Sequence, residues 1–272
     1  MIVGAAFSPD WDLVQPQVAK FTRVCTFDPS GTAWSDSFQA AIRVLDPNST
    51  LKQESKQASR QAPTCEDRVD EIHRLITKAA IPGPYILVGY SVGALWERLY
   101  AAEHPENIAG MVIVDHAFLP RPKAPDTTPS AERTAPRHGY TPPVLISKVP
   151  LVLGFEDDVN FSRLPQRDQD AHMWAMAQHP IRPGEQMTEN CLSRISRISG
   201  ADPYPLGPIP LTVISTPNDT PGYAELQISL LALSHRSRHV IASHSSHMVP
   251  IDEPDVIVAA INSAVETARS KQ

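Results

Sequence analysis

Short apolar runs recur along the chain and predict buried strands. They read RVCTFD (23–28), YILVG (85–89), GMVIVD (110–115), LTVIS (211–215) and HVIAS (239–243). The runs are rich in β-branched residues and polar residues bound them, which is typical of strands that are buried on both faces of a sheet.

Helical patterns separate these runs. The segment CEDRVDEIHRLITKAA (65–80) places its apolar residues on one stripe, with Thr64 as a candidate N-cap. The segments WDLVQPQVAKF (11–21) and DVIVAAINSAVETARS (255–270) are also predicted to be helical. Strands that alternate with helices predict an α/β fold, with a mostly parallel, doubly wound sheet and crossover helices.

The alternation stops between residues 117 and 200. Prolines crowd the first part, 118–143, which therefore cannot continue a helix or a central strand. Helical character returns in RDQDAHMWAMAQ (167–178) and ENCLSRISRI (189–198). We therefore predict a core built from residues 1–116 and 201–272, with residues 117–200 as a loop and helical cap insertion.

Charge and hydropathy restrict the partners. The net charge is −6, and no cluster of Lys and Arg is present, which argues against nucleic acid or an anionic membrane as the main partner. No segment approaches the ~20 apolar residues that span a bilayer, and the N-terminus does not resemble a signal peptide. We expect a soluble cytoplasmic protein with an apolar or weakly charged small-molecule substrate, and its oligomeric state stays open.

The cysteines predict no covalent framework. Cys25, Cys65 and Cys191 are odd in number and far apart, and their spacing matches no metal-ligand motif. The expectation is free, buried or half-buried thiols in a reducing compartment.

A candidate nucleophile lies between the run 85–89 and the helical pattern that follows it. GYSVG (89–93) places Ser91 between two glycines at a strand-to-helix turn. Such a turn holds the serine in a strained backbone conformation and exposes its hydroxyl above the carboxyl edge of the sheet. The amide of Val92, at the start of the helix, would be one donor to an oxyanion.

A serine hydroxyl needs a histidine to take its proton and a carboxylate to orient that histidine. His247 lies in a loop before the last helix and is preferred to His244. Asp219 follows the strand 211–215 and is preferred as the acid, with Asp115, at the end of the strand 110–115, as the alternative.

The chain resembles the α/β-hydrolase superfamily over nearly its whole length. The matching segments are FTRVCTFDPSGTAWSD (21–36), GYSVG (89–93), IPLTVISTPND (209–219) and SSHMVPIDEPDVIVAAI (245–261). The resemblance implies a sheet of that family's type. It implies no metal and no organic cofactor. The strand-to-helix turn at Ser91 corresponds to the family's nucleophile elbow. A serine at this elbow, where dehalogenases and epoxide hydrolases carry an aspartate, points to acyl chemistry.

The chain departs from the family pattern in two places. Ala33 replaces a glycine that the family usually carries in the loop 28–36. MIVG (1–4) resembles the end of the family's third strand, so we expect the leading hairpin to be truncated. The second oxyanion donor would then be an amide near Ala6, with those of Ala5 and Phe7 as neighbours.

These features predict a serine hydrolase of a small ester, lactone or related acyl compound. The candidate substrate-contacting residues are Phe7, Tyr90, Leu153 and Trp174, and Leu151, Phe155, Met173 and Met176 are further apolar residues of the insertion. Two other hypotheses stay open. One is a cofactor-free lyase or cyclase on the same scaffold, and the other is a non-catalytic ligand-binding protein.

Overall fold

A parallel sheet of six strands runs through the part of the molecule that a computed structural model describes, namely residues 2–4, 7–36, 63–116, 161–178, 185–200, 202, 204–218 and 221–270. The strands are β1 (Ile2–Gly4), β2 (Cys25–Thr26), β3 (Tyr85–Tyr90), β4 (Ile108–Val114), β5 (Leu211–Ser215) and β6 (Ser237–Ile241). Their order is β2-β1-β3-β4-β5-β6, and every neighbouring pair is parallel. The predicted α/β fold with a parallel sheet is confirmed.

Helices connect the strands. They are α1 (Gln15–Val18), α2 (Cys65–Lys78), α3 (Gly93–Glu103), α4 (Gln166–Gln178), α5 (Glu185–Ser199), α6 (Tyr223–Ser229), α7 (Val249–Asp252) and α8 (Pro254–Arg269), with short 3-10 turns at Ser8–Trp11, Pro105–Asn107, Phe161–Arg163 and Leu230–Leu233. None of the helices in the described ranges is both long and apolar enough to cross a membrane.

Both faces of the sheet are covered. Leu87 and Met111 point to one side, where they pack with apolar residues of α2, α3 and α5. Val88 and Val112, one residue further along each strand, point to the other side and pack with residues of α1 and α8. This alternation is the period of two that a strand imposes on its side chains, and it makes the sheet doubly wound.

The N-terminus of α2 is capped as the sequence predicted. The Thr64 hydroxyl accepts the Asp67 N–H at 3.1 Å, and the Asp67 carboxylate accepts the Thr64 N–H at 2.8 Å. This reciprocal pair satisfies two backbone groups that the helix leaves without intrahelical partners. Val69, Ile72 and Ile76 form the buried stripe.

The first helix is shorter than predicted. Instead of one helix over 11–21, the chain forms the 3-10 turn Ser8–Trp11 and then α1, four residues long. Pro16 has no N–H and is tolerated in an α-helix chiefly in its first turn, so α1 begins at Gln15.

The predicted insertion contains two helices within its described residues, and one of them is bonded covalently to the core. Helix α5 packs on α2 and α3. Cys65 of α2 and Cys191 of α5 form a disulfide with their Cα atoms 5.2 Å apart, so the expectation of free thiols was wrong for these two. Cys25 is free. The division into a core and a cap insertion stays a prediction.

The sheet order brings the carboxyl ends of neighbouring strands together. Gly4 of β1 pairs with Gly89 of β3, and Tyr90 of β3 pairs with Val114 of β4. The order reverses at β1, and in open α/β sheets such a reversal opens a crevice at the carboxyl edge. Ser91 and Asp115 follow directly after two of these strand ends.

Candidate active site

Ser91 occupies a sharp turn between β3 and α3. Its φ angle is +54°, in the left-handed region that non-glycine residues rarely adopt. Its N–H donates to the Val114 carbonyl at 3.0 Å, which holds the turn against β4. A Cβ atom added at Gly89 would lie 2.5 Å from the Ala94 Cα, so only glycine allows α3 to approach the strand this closely.

The His247 ring lies between Ser91 and an aspartate. Its Nε2 is 3.1 Å from the Ser91 Oγ, and its Nδ1 is 2.5 Å from the Asp115 Oδ2. The Tyr90 ring packs against the imidazole with the two centroids 5.0 Å apart. A hydroxyl, an imidazole and a carboxylate in this order can pass a proton from the serine to the histidine.

Hydrogen bonds between its loop and α7 hold His247 in place. The Asp252 carboxylate accepts the Ser246 N–H at 2.9 Å and the Ser246 hydroxyl at 2.7 Å. The Ser246 hydroxyl oxygen accepts the Met248 N–H at 3.2 Å. His244 is exposed, and its backbone N–H donates to Glu253, so the ring in contact with Ser91 is that of His247.

Asp115 is buried and has hydrogen-bonding partners on both oxygens. It is 2% exposed and follows β4 directly, and its N–H donates to the Ile214 carbonyl of β5. Its Oδ1 accepts the Tyr223 hydroxyl and, at 3.2 Å, the Thr216 hydroxyl. Burial, and then the hydrogen bond to Asp115, raises the pKa of Tyr223 to about 12, so this hydroxyl keeps its proton at neutral pH and donates it.

The preference for Asp219 as the acid does not agree with this geometry. A neutral imidazole with its proton on Nδ1 offers that one donor to one carboxylate, and Asp115 occupies the position. Asp219 lies outside the described residues. The described geometry therefore favours Asp115, the alternative at the end of the neighbouring strand, as the acid.

Of the amides predicted to bind the oxyanion, the structure describes those of Val92 and Phe7. Val92 is the N-cap of α3, where amides lack the usual intrahelical acceptors, and its N–H stays the predicted first donor. The Phe7 N–H donates to the Asp10 carboxylate at 3.0 Å, so Phe7 is already engaged. Ala5 and Ala6 lie outside the described residues, and the donor role of Ala6 stays a prediction.

The candidate substrate-contacting residues lie in different surroundings. Phe7 and Tyr90 are buried, at 2% and 4% exposure. Burial, and then the charges of Asp10, Asp115 and Asp252, raises the pKa of Tyr90 well above its usual range. Trp174 is 39% exposed and stacks on Trp34 with the ring centroids 5.0 Å apart. Leu153, like Leu151 and Phe155, lies outside the described residues.

Tyr223 and Thr216 are the site residues that sequence reasoning missed. Thr216 comes directly after β5, so its place at the same sheet edge as Asp115 was open to prediction. Tyr223 begins α6, and no motif marks it as a partner of a carboxylate. Within the described ranges, no three His, Cys, Asp or Glu side chains come together as metal ligands would.

Comparison with known proteins agrees with this architecture. A family model described as the alpha/beta hydrolase fold matches residues 6–254. The uncharacterized protein YqjL of Bacillus subtilis (strain 168) is 25% identical over 213 residues, which are 75% of this chain and 65% of that protein. An uncharacterized protein of Schizosaccharomyces pombe is 28% identical over 104 residues, 38% of this chain and 15% of its own length. The chain thus spans less than two thirds of either relative.

Solved structures show the same fold. A thermophilic esterase from Thermogutta terrifontis superposes with a TM-score of 0.60 at 18% identity, covering 98% of this chain and 88% of that one. A serine hydrolase involved in carbazole degradation superposes with a TM-score of 0.57 at 16% identity, covering 97% and 89%. At these identities the likeness concerns the fold alone. Because the family model spans most of the sequence, the chain belongs to the α/β-hydrolase fold family.

Proposed function

We propose that this protein is a serine hydrolase that cleaves a small carboxylic ester, lactone or related acyl compound through an acyl-enzyme on Ser91. The observation that supports this most is the His247 ring, which contacts the Ser91 Oγ through Nε2 and the Asp115 carboxylate through Nδ1. A hydrolase fold and an esterase among its structural neighbours agree with the proposal.

The proposed reaction has two halves. The Ser91 Oγ attacks the acyl carbon as its proton moves to the His247 Nε2, and the Asp115 carboxylate stabilises the imidazolium that forms. The imidazolium then protonates the leaving alkoxide. In the second half His247 takes a proton from water, which attacks the acyl-enzyme. The imidazolium then returns that proton to the Ser91 Oγ as the bond to the acyl carbon breaks and the acid leaves.

The negative oxygen of each tetrahedral intermediate needs fixed donors. The Val92 N–H at the start of α3 is one, and an amide near Ala6 is the expected second. A missing oxyanion donor costs roughly 3–4 kcal/mol of transition-state stabilisation, so the second amide matters for the rate. The substrate we expect is apolar or weakly charged, in keeping with the aromatic side chains of Phe7 and Tyr90.

A fluorophosphonate probe, together with hydrolysis of short-chain p-nitrophenyl esters and lactones, tests the proposal. The wild-type protein should gain the mass of one phosphonyl group on Ser91 and hydrolyse at least one compound. Ser91→Ala and His247→Ala should do neither, while His244→Gln, which changes an exposed ring three residues away, should behave as wild type.

Two results would contradict the proposal. Folded wild-type protein that neither reacts with the probe nor hydrolyses any compound favours the ligand-binding hypothesis. Labelled protein that converts a carbonyl substrate without adding water to the product favours the lyase or cyclase hypothesis.

A further inference from the structure

A second carboxylate–imidazole pair lies outside the Ser91 site. The Asp10 Oδ1 is 2.5 Å from the His172 Nδ1, and the two residues are 2% and 9% exposed. Asp10 belongs to the 3-10 turn after β1, and His172 belongs to α4 of the predicted insertion. The proposed reaction uses neither residue.

Asp10 also contacts the candidate oxyanion segment, by which we mean residues 5–7, whose amides are the predicted second donors. Its second oxygen, Oδ2, accepts the Phe7 N–H at 3.0 Å, and its own N–H donates to the Phe7 carbonyl at 2.9 Å. Phe7 directly follows Ala6, whose amide is the expected second oxyanion donor, and Gly4 before it pairs with Gly89 at the elbow. One carboxylate therefore connects α4 with the segment beside the nucleophile.

His172 contacts this segment by packing as well as by its hydrogen bond. The Phe7 ring lies edge-on to the imidazole at 5.4 Å between centroids, and the Phe161 ring lies on it at 4.7 Å. Phe7 also forms a small buried cluster with Ala33 and Ala175, separate from the two main cores. Phe7 is thus held by α4 and by Asp10 rather than by the central sheet.

Burial of this polar pair costs free energy, because both side chains lose hydrogen bonds to water. The Asp10 side chain is 2% exposed and has lost nearly all its contact with water, and such burial is costly unless both oxygens have hydrogen-bonding partners, which they have here. A cap for the 3-10 turn would need only the Phe7 contact. The contact with His172 is additional, and it comes from a different element of the fold.

We infer that Asp10 and His172 are positioning residues that couple α4 to Phe7 and so fix the chain that continues from β1, the strand that pairs with β3 next to Ser91. This inference rests on the proposed hydrolase function. Loss of the His172 contact would leave the Asp10 side chain bonded to Phe7 alone. Displacement of a catalytic donor by about 1 Å can lower a rate a hundredfold, so we expect turnover to fall.

Variants at residue 172 separate this role from simple packing. In His172→Asn the amide nitrogen can take the place of Nδ1 and keep the donor to Asp10, whereas His172→Leu removes it. With an ester substrate, kcat of His172→Leu should fall about tenfold or more, with KM little changed. The rate of phosphonylation by the fluorophosphonate should fall in parallel, because its P=O oxygen uses the same donors. His172→Asn should recover most of both rates.

Arg167 supplies the matched control. Its guanidinium lies 3.6 Å from the Asp12 carboxylate, so this ion pair also connects α4 with the chain after β1, but the Arg167 side chain is 77% exposed. Arg167→Gln should keep wild-type kcat and wild-type phosphonylation. If it lowers kcat as much as His172→Leu does, any loosened contact of α4 suffices and the inference is wrong.

The remaining outcomes also decide the matter. Folded His172→Leu with kcat within about twofold of wild type overturns the inference, and so does an equal loss in His172→Asn. Should His172→Leu fail to fold, His172→Gln replaces it, because the longer glutamine side chain moves the amide donor away from the Nδ1 position. Equal kcat in the Asn and Gln variants would then overturn the inference. If Ser91→Ala retains activity, the proposed function itself fails, whatever residue 172 does.

Discussion

The side chain of Asp115 has little freedom to rotate. His247 occupies one carboxylate oxygen, and the Tyr223 and Thr216 hydroxyls occupy the other. The Thr216 N–H in turn donates to the Tyr223 hydroxyl at 3.1 Å. A carboxylate fixed on both oxygens holds the imidazole in one tautomer and one orientation, which is what the proposed general-base role of His247 requires.

Exchange of the two candidate acids tests this assignment at the residue scale. Asp115→Asn should lower kcat for an ester substrate on the order of ten-thousandfold, because an amide cannot hold the Nδ1 proton or stabilise the imidazolium. Asp219→Asn should leave kcat near wild type. Steady-state kinetics, with circular dichroism to verify folding, measures both, and the reverse ranking would return the role to Asp219.

The ambiguity between these two aspartates has a physical origin. Asp115 follows β4, and Asp219 lies four residues beyond the end of β5, which is the next strand in the sheet. In the sequence both aspartates therefore come shortly after neighbouring strands, and strand order alone does not distinguish them. The choice depends on which side chain reaches the His247 Nδ1, and that depends on local contacts such as the one from Tyr223.

His116, the residue after Asp115, makes stability depend on pH. Burial, and then the charge of Arg98, lowers the pKa of His116 from 6.5 to about 3. Below pH 6.5 the unfolded chain binds a proton that the folded protein does not. The contribution of His116 to stability is therefore complete above pH 6.5 and is lost as the pH falls toward 3, by up to about 1.4 kcal/mol per pH unit.

Urea unfolding at two pH values measures this contribution. Between about pH 7 and about pH 5 the free energy of unfolding of wild type should fall by about 2 kcal/mol more than that of His116→Asn. His244→Asn, which changes an exposed histidine, should follow wild type. Equal falls in wild type and His116→Asn would show that the buried imidazole does not cause the dependence.

At the element scale, the junction of β3 and α3 is where sequence and structure agree best. The run YILVG is a strand buried along its whole length, and Ser91 adopts the strained turn that its position between two glycines predicts. Such a junction is specified locally, because Gly89 has no room for a Cβ atom and Ser91 must leave the strand at once. The first helix was predicted less well, since the start of α1 depends on Pro16 and not on apolar periodicity.

At the scale of the whole molecule, α5 of the predicted insertion shares one buried interior with α2 and α3. Cys191 and Ile195 of α5 belong to the same apolar cluster as Leu95 and Leu99 of α3. The disulfide lies within that cluster, with Cys65 and Cys191 both 0% exposed. Sequence spacing could not reveal a pairing across 126 residues, because it arises only when α5 packs on α2. Disulfides are rare in reducing compartments, so this one weighs against the cytoplasmic location that the sequence suggested.

The same bridge leads to a prediction about stability. Closing a loop of this length restricts the unfolded chain, so the double variant Cys65→Ser, Cys191→Ser should unfold with a free energy roughly 2–5 kcal/mol lower than wild type. Urea unfolding without reductant measures the difference, and wild type in dithiothreitol should approach the double variant. Cys25→Ser, which removes the free thiol, should match wild type. Thiol titration of the unfolded, unreduced protein should find Cys25 alone reactive, whereas reaction of all three cysteines would show that α2 and α5 are held by packing without a covalent bond.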